Sequence, residues 1–148
     1  MLITRETDYA MRILRALSGG TQMTAQTISD LHQVPKPFAY KIIKKLSRAG
    51  LVSIARGAEG GYSLSADLHQ ITLYDLMQAV EENFQVIACM DPDYDCTWRD
   101  ANGECTVHCE LAEFQQQLDR ELRSRTLHSL IFGRNPLPED AAASERTI

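Results

Sequence analysis

A mainly α fold with a small β-hairpin wing is what this sequence predicts: a winged helix-turn-helix followed by a long dimerisation helix. Three observations predict it. Residues 7–49 hold three helical stretches with apolar faces in succession. The third of them is lysine-rich and opens at a proline. An alternating apolar stretch, broken by glycines, follows it at once.

The first helix spans Thr7 to Leu17, with Tyr9, Ala10, Ile13, Leu14 and Leu17 on one face, and Ser18-Gly19-Gly20 stops it. Thr24 is a good N-cap for a second helix, Ala25 to His32, whose Ala25, Ile28 and Leu31 share a side. Val34-Pro35-Lys36-Pro37 breaks that helix, and Pro37 suits the first turn of a third, where its missing N–H is not needed. The third helix runs to Ala49 and ends at Gly50; Phe38, Ile42, Leu46 and Ala49 are its expected inward face. Leu51 to Arg56 and Tyr62 to Leu64 alternate as strands round a Gly57–Gly61 turn. Thr72 caps a short fourth helix, Leu73 to Glu82. Residues 83–108 read as irregular, and a long helix follows from Cys109 to Ser124. Its stripe of Leu111, Phe114, Leu118 and Leu122 is of the kind that packs on a partner helix. Thr126 to Phe132 is expected to fold back. The domain reading is therefore 1–65 DNA-binding unit, 66–108 connecting helix and cysteine-bearing loop, 109–132 dimerisation helix and short C-terminal segment, and 133–148 a polar, disordered tail.

Composition bounds the classes. With 44% apolar and 24% charged residues the chain has the balance of an ordinary globular protein. No apolar run is long enough to span a bilayer, and MLITRETDYA has no secretory h-region, so a cytoplasmic, membrane-free protein is expected. In that reducing compartment cysteines serve as thiols, metal ligands or redox groups rather than structural disulfides. The net charge of −5 hides an asymmetry: residues 1–62 hold nine Lys and Arg against four Asp and Glu, the remainder six against sixteen. The basic half can approach phosphates while the acidic half points away.

Two constellations carry chemistry. A recognition helix presents its N-terminal side chains to base edges in the major groove. Pro37, Tyr40 and Lys41 occupy that end, while Lys44, Lys45 and Arg48 lie further along and suit phosphates. Arg56, beside the glycines of the hairpin tip, suits a narrow minor groove. Double-stranded DNA is thus the expected partner. The second constellation is Cys89, Cys96, Cys105, His108 and Cys109, holding all four cysteines of the chain within 21 residues. Such donors suit iron–sulfur or zinc. The Cys-x₆-Cys-x₈-Cys-x₃-Cys spacing matches neither a zinc finger nor a ferredoxin, and leaves iron–sulfur, zinc and a thiol redox switch open. Asp91 to Asp95 begins like a calcium loop, but Cys96 and Asn102 stand where glycine and glutamate are needed. No nucleophile–base pairing can be read, so an enzyme is not expected, and a non-DNA interaction module is the remaining alternative.

Together these pieces resemble the IscR/NsrR/RirA family of bacterial winged-helix regulators with iron–sulfur clusters. The resemblance runs from Leu2 to about Leu130. Its marks are Thr7-Asp8-Tyr9-Ala10, Leu46-Ser47-Arg48-Ala49-Gly50-Leu51-Val52, Arg56-Gly57-x-x-Gly60-Gly61-Tyr62-x-Leu64, Ile71-Thr72-Leu73 and the cysteines ahead of the long helix. It implies a homodimer crossed through the long helices, with DNA binding governed by cluster loss, oxidation or nitric oxide. It implies Cys89, Cys105 and Cys109 as cluster ligands, with His108 or Asp8 of the partner subunit completing the set. Cys96 is the extra cysteine, and the loop between Cys89 and Cys105 is longer than the family's. That departure leaves a 2Fe–2S and a 4Fe–4S cluster both open.

Overall fold

The computed structural model describes residues 2–133, so the expectation for the tail lies outside the described residues but for Gly133. Helix α1 spans Arg5–Leu17; the Thr4 hydroxyl accepts from the Glu6 N–H and closes its N-terminus. Helix α2, Ala25–His32, is capped in the same way by Thr24 on the Thr27 N–H. It ends at Gln33 with φ of 53°, a left-handed residue that turns the chain into Val34. Helix α3 is Lys36–Arg48, with Pro37 in its first turn.

Strands β1 (Val52–Ala55) and β2 (Gly61–Leu64) pair antiparallel, Val52 opposite Leu64 and Ala55 opposite Gly61. Met23, just ahead of α2, exchanges both backbone hydrogen bonds with Tyr62 at 2.9 and 2.7 Å. That bridge pins the wing to the start of α2. Helix α4 is Leu73–Val80, opened by a capping box in which Thr72 and Asp75 satisfy each other's backbone N–H. Helix α5 is Thr97–Asn102, α6 is Thr106–Arg123 and α7 is Leu127–Phe132.

One apolar core joins the first six elements and the last. Ala10, Ile13, Leu14, Ile28, Ala39, Ile42, Leu46, Leu76 and Leu127 are all fully buried in it. Helix α7 reaches it because the chain does fold back: Leu127 N–H donates to Ile71 O at 2.8 Å and His128 N–H to Leu68 O at 3.0 Å. A smaller cluster of Leu73, Met77 and Leu122, with Leu118 beside it, seats α6 on α4.

Several expectations are corrected. Phe38, Ala49 and Leu31 lie exposed, and α3 buries Ala39 and Ile43 instead, because α1 and α4 cover it from a different angle. Residues 83–108 are not wholly irregular, since Ala88–Met90 forms a 3₁₀ turn and α5 follows. Helix α4 stops at Val80, and α6 starts at Thr106 rather than Cys109. The apolar stripe concealed that early start, because the first turn of α6 carries no core residue: Val107 is 61% exposed.

Candidate functional site

Pro37, Tyr40, Lys41, Lys44 and Arg48 recur at helical spacing along α3 and are all exposed. They share one side of the helix, opposite the buried Ala39, Ile42, Ile43 and Leu46. The wing stands beside this side. Tyr40 and Ile54 are each about half exposed and line one groove with Thr24, Gly57 and Tyr62. Burial, and secondarily the neighbouring Tyr40, raise the Tyr62 phenol above its ordinary pKa. Arg56 is exposed at the tip. The tip is tight: a Cβ on Gly60 would lie 2.5 Å from Ala55 O, and one on Gly61 2.8 Å from Met23 O. These two glycines are therefore fixed by backbone approach.

Lys45 is placed differently from its neighbours. Its side chain is 21% exposed and its Nζ donates to Glu6 Oε2 at 2.6 Å and to Val80 O at 2.5 Å. The ammonium is committed between α1, α3 and α4 and does not join the exposed row. Lys41 lies in that row, yet its Nζ reaches Glu6 Oε1 at 2.5 Å. Hydrogen bonds from Lys41 and then Lys45 hold the Glu6 carboxyl below its ordinary pKa, and Glu6 in turn raises that of Lys41. Glu6 is the residue that sequence reasoning missed. Its one signal was an acid in a half of the chain that has only four.

The cysteines are all free. Cys105 is the N-cap of α6, and its sulfur accepts from the His108 N–H at 3.5 Å. His108 Nδ1 lies 3.4 Å from the Cys89 sulfur. His108 thus stands between Cys89 and Cys105. Cys109 is exposed one turn into the helix, with its thiol 3.9 Å from Glu104 Oε1. Cys96 caps α5 and makes no hydrogen bond through its side chain there. Asp8 pairs with Arg12 at 3.1 Å, with both side chains more than two-fifths exposed. Thiolates and an imidazole are donors that a soft metal centre takes, so the residues fit such a group by chemistry. Among the described residues of one chain, no three His, Cys, Asp or Glu side chains converge as ligands.

Among the described residues no helix is long and apolar enough to cross a membrane. Residues 3–132 match the family model described as "Rrf2: Iron-dependent Transcriptional regulator". The chain is 29% identical over 94 residues to the HTH-type transcriptional regulator NsrR of Bacillus subtilis, covering 62% of this chain and 64% of that one. It is similar in fold to CymR, the global cysteine regulator of B. subtilis, with a TM-score of 0.67 and 22% identity over 90% of this chain and 98% of that one. It is also similar in fold to T. potens IscR, with a TM-score of 0.63 and 20% identity over 99% and 92% of the two chains.

Proposed function

The chain belongs to the Rrf2 family of transcription regulators, and from that premise we propose that it binds a double-stranded DNA operator as a homodimer, its affinity set by an iron–sulfur cluster at Cys89, Cys105 and Cys109. It is a regulator and not an enzyme, as its relatives are. The observation that carries the DNA-binding side is the exposed row Pro37, Tyr40, Lys41, Lys44 and Arg48 beside a wing bearing Arg56. Pro37, Tyr40 and Lys41 would meet base edges, Lys44 and Arg48 phosphates, and Arg56 the minor groove. Its place of work is the cytoplasm, where DNA and reduced thiols coexist.

The homodimer reading rests on uncovered apolar side chains of α6. Val107 and Phe114 are 61% and 54% exposed, and Phe114 lines a groove with Leu2, Phe84, Val86 and Leu118. A single soluble chain has no reason to leave this face bare.

For the sensing side, the donor chemistry and the family support a cluster held by Cys89, Cys105 and Cys109. His108 or Asp8 of the partner subunit would complete the set, and Cys96 would be spare. A bound cluster supplies one-electron redox chemistry and a centre that iron shortage, oxidation or nitric oxide can remove. The protein's part is positional: Cys89 follows α4, Cys105 caps α6 and Cys109 lies one turn into it, and α4 packs on α1 and α3. A change in how these cysteines are held would reach α3 through α4.

The contact between Cys89 and His108 favours a second reading, a zinc site or thiol switch in the same fold. Anaerobic purification with iron, sulfide and zinc assays separates the readings. A brown protein with iron and sulfide in comparable amounts supports the cluster, and a colourless zinc protein overturns it. Selection of duplexes from a random DNA library tests the operator; recovery of no enriched sequence rejects the DNA-binding reading.

A further inference from the structure

Glu6 is the acid of α1 that faces α3. Of the four acids in residues 1–62, Asp8 pairs with Arg12, Asp30 accepts from Gln26, and Glu59 stands in the wing turn. Glu6 alone engages the lysines of α3, with Lys41 at 2.5 Å and Lys45 at 2.6 Å on its two oxygens. A carboxylate that accepts from Lys41 occupies the donor that an acceptor on DNA would take. The two lysines are held unequally. Lys45 is 21% exposed and has a second acceptor in Val80 O, whereas Lys41 is 53% exposed and among the described residues forms an ion pair with Glu6, Glu82 acting on it from further away.

The same corner ties α1 to the end of α4. Glu81, directly after Val80, accepts from the Thr4 N–H at 3.4 Å, from the Thr4 hydroxyl at 2.7 Å and from the buried Thr7 hydroxyl. The chain then leads from Glu81 to the cysteine-bearing segment. The N-terminus of α1, the middle of α3 and the end of α4 therefore share one polar network. Glu6 lies on α1 and Lys41 on α3, so a displacement of α1 relative to α3 changes the distance between them.

We propose that Glu6 is an autoinhibitory contact: it competes with DNA for Lys41, and moving it away from α3 raises DNA affinity. The inference rests on the reading of α3 as the DNA-facing helix and adds how that face is regulated. The Lys41 side of the pair is half-exposed and such a pair is weak, so an acceptor on a base edge can displace Glu6, and the exchange is balanced finely enough for a modest movement to bias it. Lys45 stays behind as the anchor.

The test uses the full chain and the duplex recovered by library selection, with affinity measured by fluorescence anisotropy at several KCl concentrations. Wild type, Glu6→Gln, Lys41→Met and the double variant form a cycle. Glu6→Gln is expected to bind about threefold tighter or more. In the Lys41→Met background the gain from Glu6→Gln is expected to vanish. Glu6→Asp keeps the charge, draws the carboxylate back by one methylene, and is expected to tighten binding in the same direction. Wild-type affinity in both Glu6 variants overturns the proposal. So does a Glu6→Gln gain that persists without Lys41, since that reports only a lost negative charge. If neither wild type nor variants bind any selected duplex, the DNA-binding reading itself fails and the inference fails with it.

Discussion

Lys44 and Lys45 are neighbours in sequence and meet opposite surroundings. Lys44 is exposed in the row that faces away from the core, and Lys45 reaches Glu6 and Val80 O across α1 and α4. Lys44→Ala is therefore expected to lower the salt dependence of DNA binding by about one phosphate contact and leave the melting temperature alone. Lys45→Ala is expected to leave that slope unchanged and destabilise the fold by about 1–3 kcal/mol, as befits a hydrogen bond to a charged group. Urea unfolding and salt titration of both variants check the contrast; equal salt slopes would place the two lysines on the same side. Helical spacing alone already held part of this distinction. Lys45 lies at the edge of the buried face, between Lys41 and Ile42 in projection, and what spacing could not supply was a carboxylate 39 residues away. The wing glycines are a second case. From the sequence the glycines read as a turn, and the structure gives the steric reason at Gly60: a Cβ there would lie 2.5 Å from Ala55 O. Gly60→Ala is expected to cost about 1–3 kcal/mol and to weaken DNA binding by deforming the turn behind Arg56. A wild-type melting curve for this variant would show that the turn has room to relax.

Helices declared themselves in the sequence where their apolar face was continuous and their cap chemical. Thr24 and Thr72 mark the starts of α2 and α4 because their hydroxyls can satisfy orphan backbone N–H groups, and both do so. Helix α6 hid its start, because Cys105 is an unusual cap and the turn it opens faces solvent. That shift matters for chemistry. Cys105, not Cys109, sits at the helix N-cap, where its sulfur accepts from the His108 N–H. The stripe of α6 divides along its length. Leu122 is buried against α4 and Leu118 is half-buried beside it, whereas Phe114 remains 54% exposed. A charge at these positions should therefore act differently. Phe114→Asp is expected to give a folded monomer, with the burial of a charge opposing association. Leu118→Asp is expected to disturb both association and the seat of α6 on α4. Sedimentation at micromolar concentration with far-ultraviolet dichroism reads both, and a dimeric Phe114→Asp would assign this face to something other than self-association.

At the scale of the whole chain, a basic N-terminal half is joined to an acidic C-terminal half by α4, which packs on α1, α3 and α6 alike. Anything that alters the cysteine-bearing segment at one end of α4 thus acts on the same helix that braces α3. The cluster reading makes a prediction about which cysteines matter. Cys89 lies beside His108, Cys105 caps α6, and Cys109 lies one turn on, so all three adjoin the start of α6 without converging within one chain. Cys96 belongs to another, at the start of α5, in a segment that also carries Asp91, Asp93, Asp95 and Asp100. Cys89→Ser, Cys105→Ser and Cys109→Ser are each expected to lose most bound iron and the visible absorption of anaerobically purified protein. Cys96→Ser is expected to keep both. Asp8→Ala separates the two candidates for the last ligand: loss of iron with an intact dimer assigns Asp8 of the partner subunit, and full retention moves the role to His108. Because Asp8 lies on α1 two residues after Glu6, a ligand role for it would draw on the same helix that restrains Lys41. Cluster occupancy and DNA affinity would then change together in Asp8→Ala and separately in Glu6→Gln. Full iron occupancy in Cys109→Ser, or complete loss in Cys96→Ser alone, would reject this assignment of ligands.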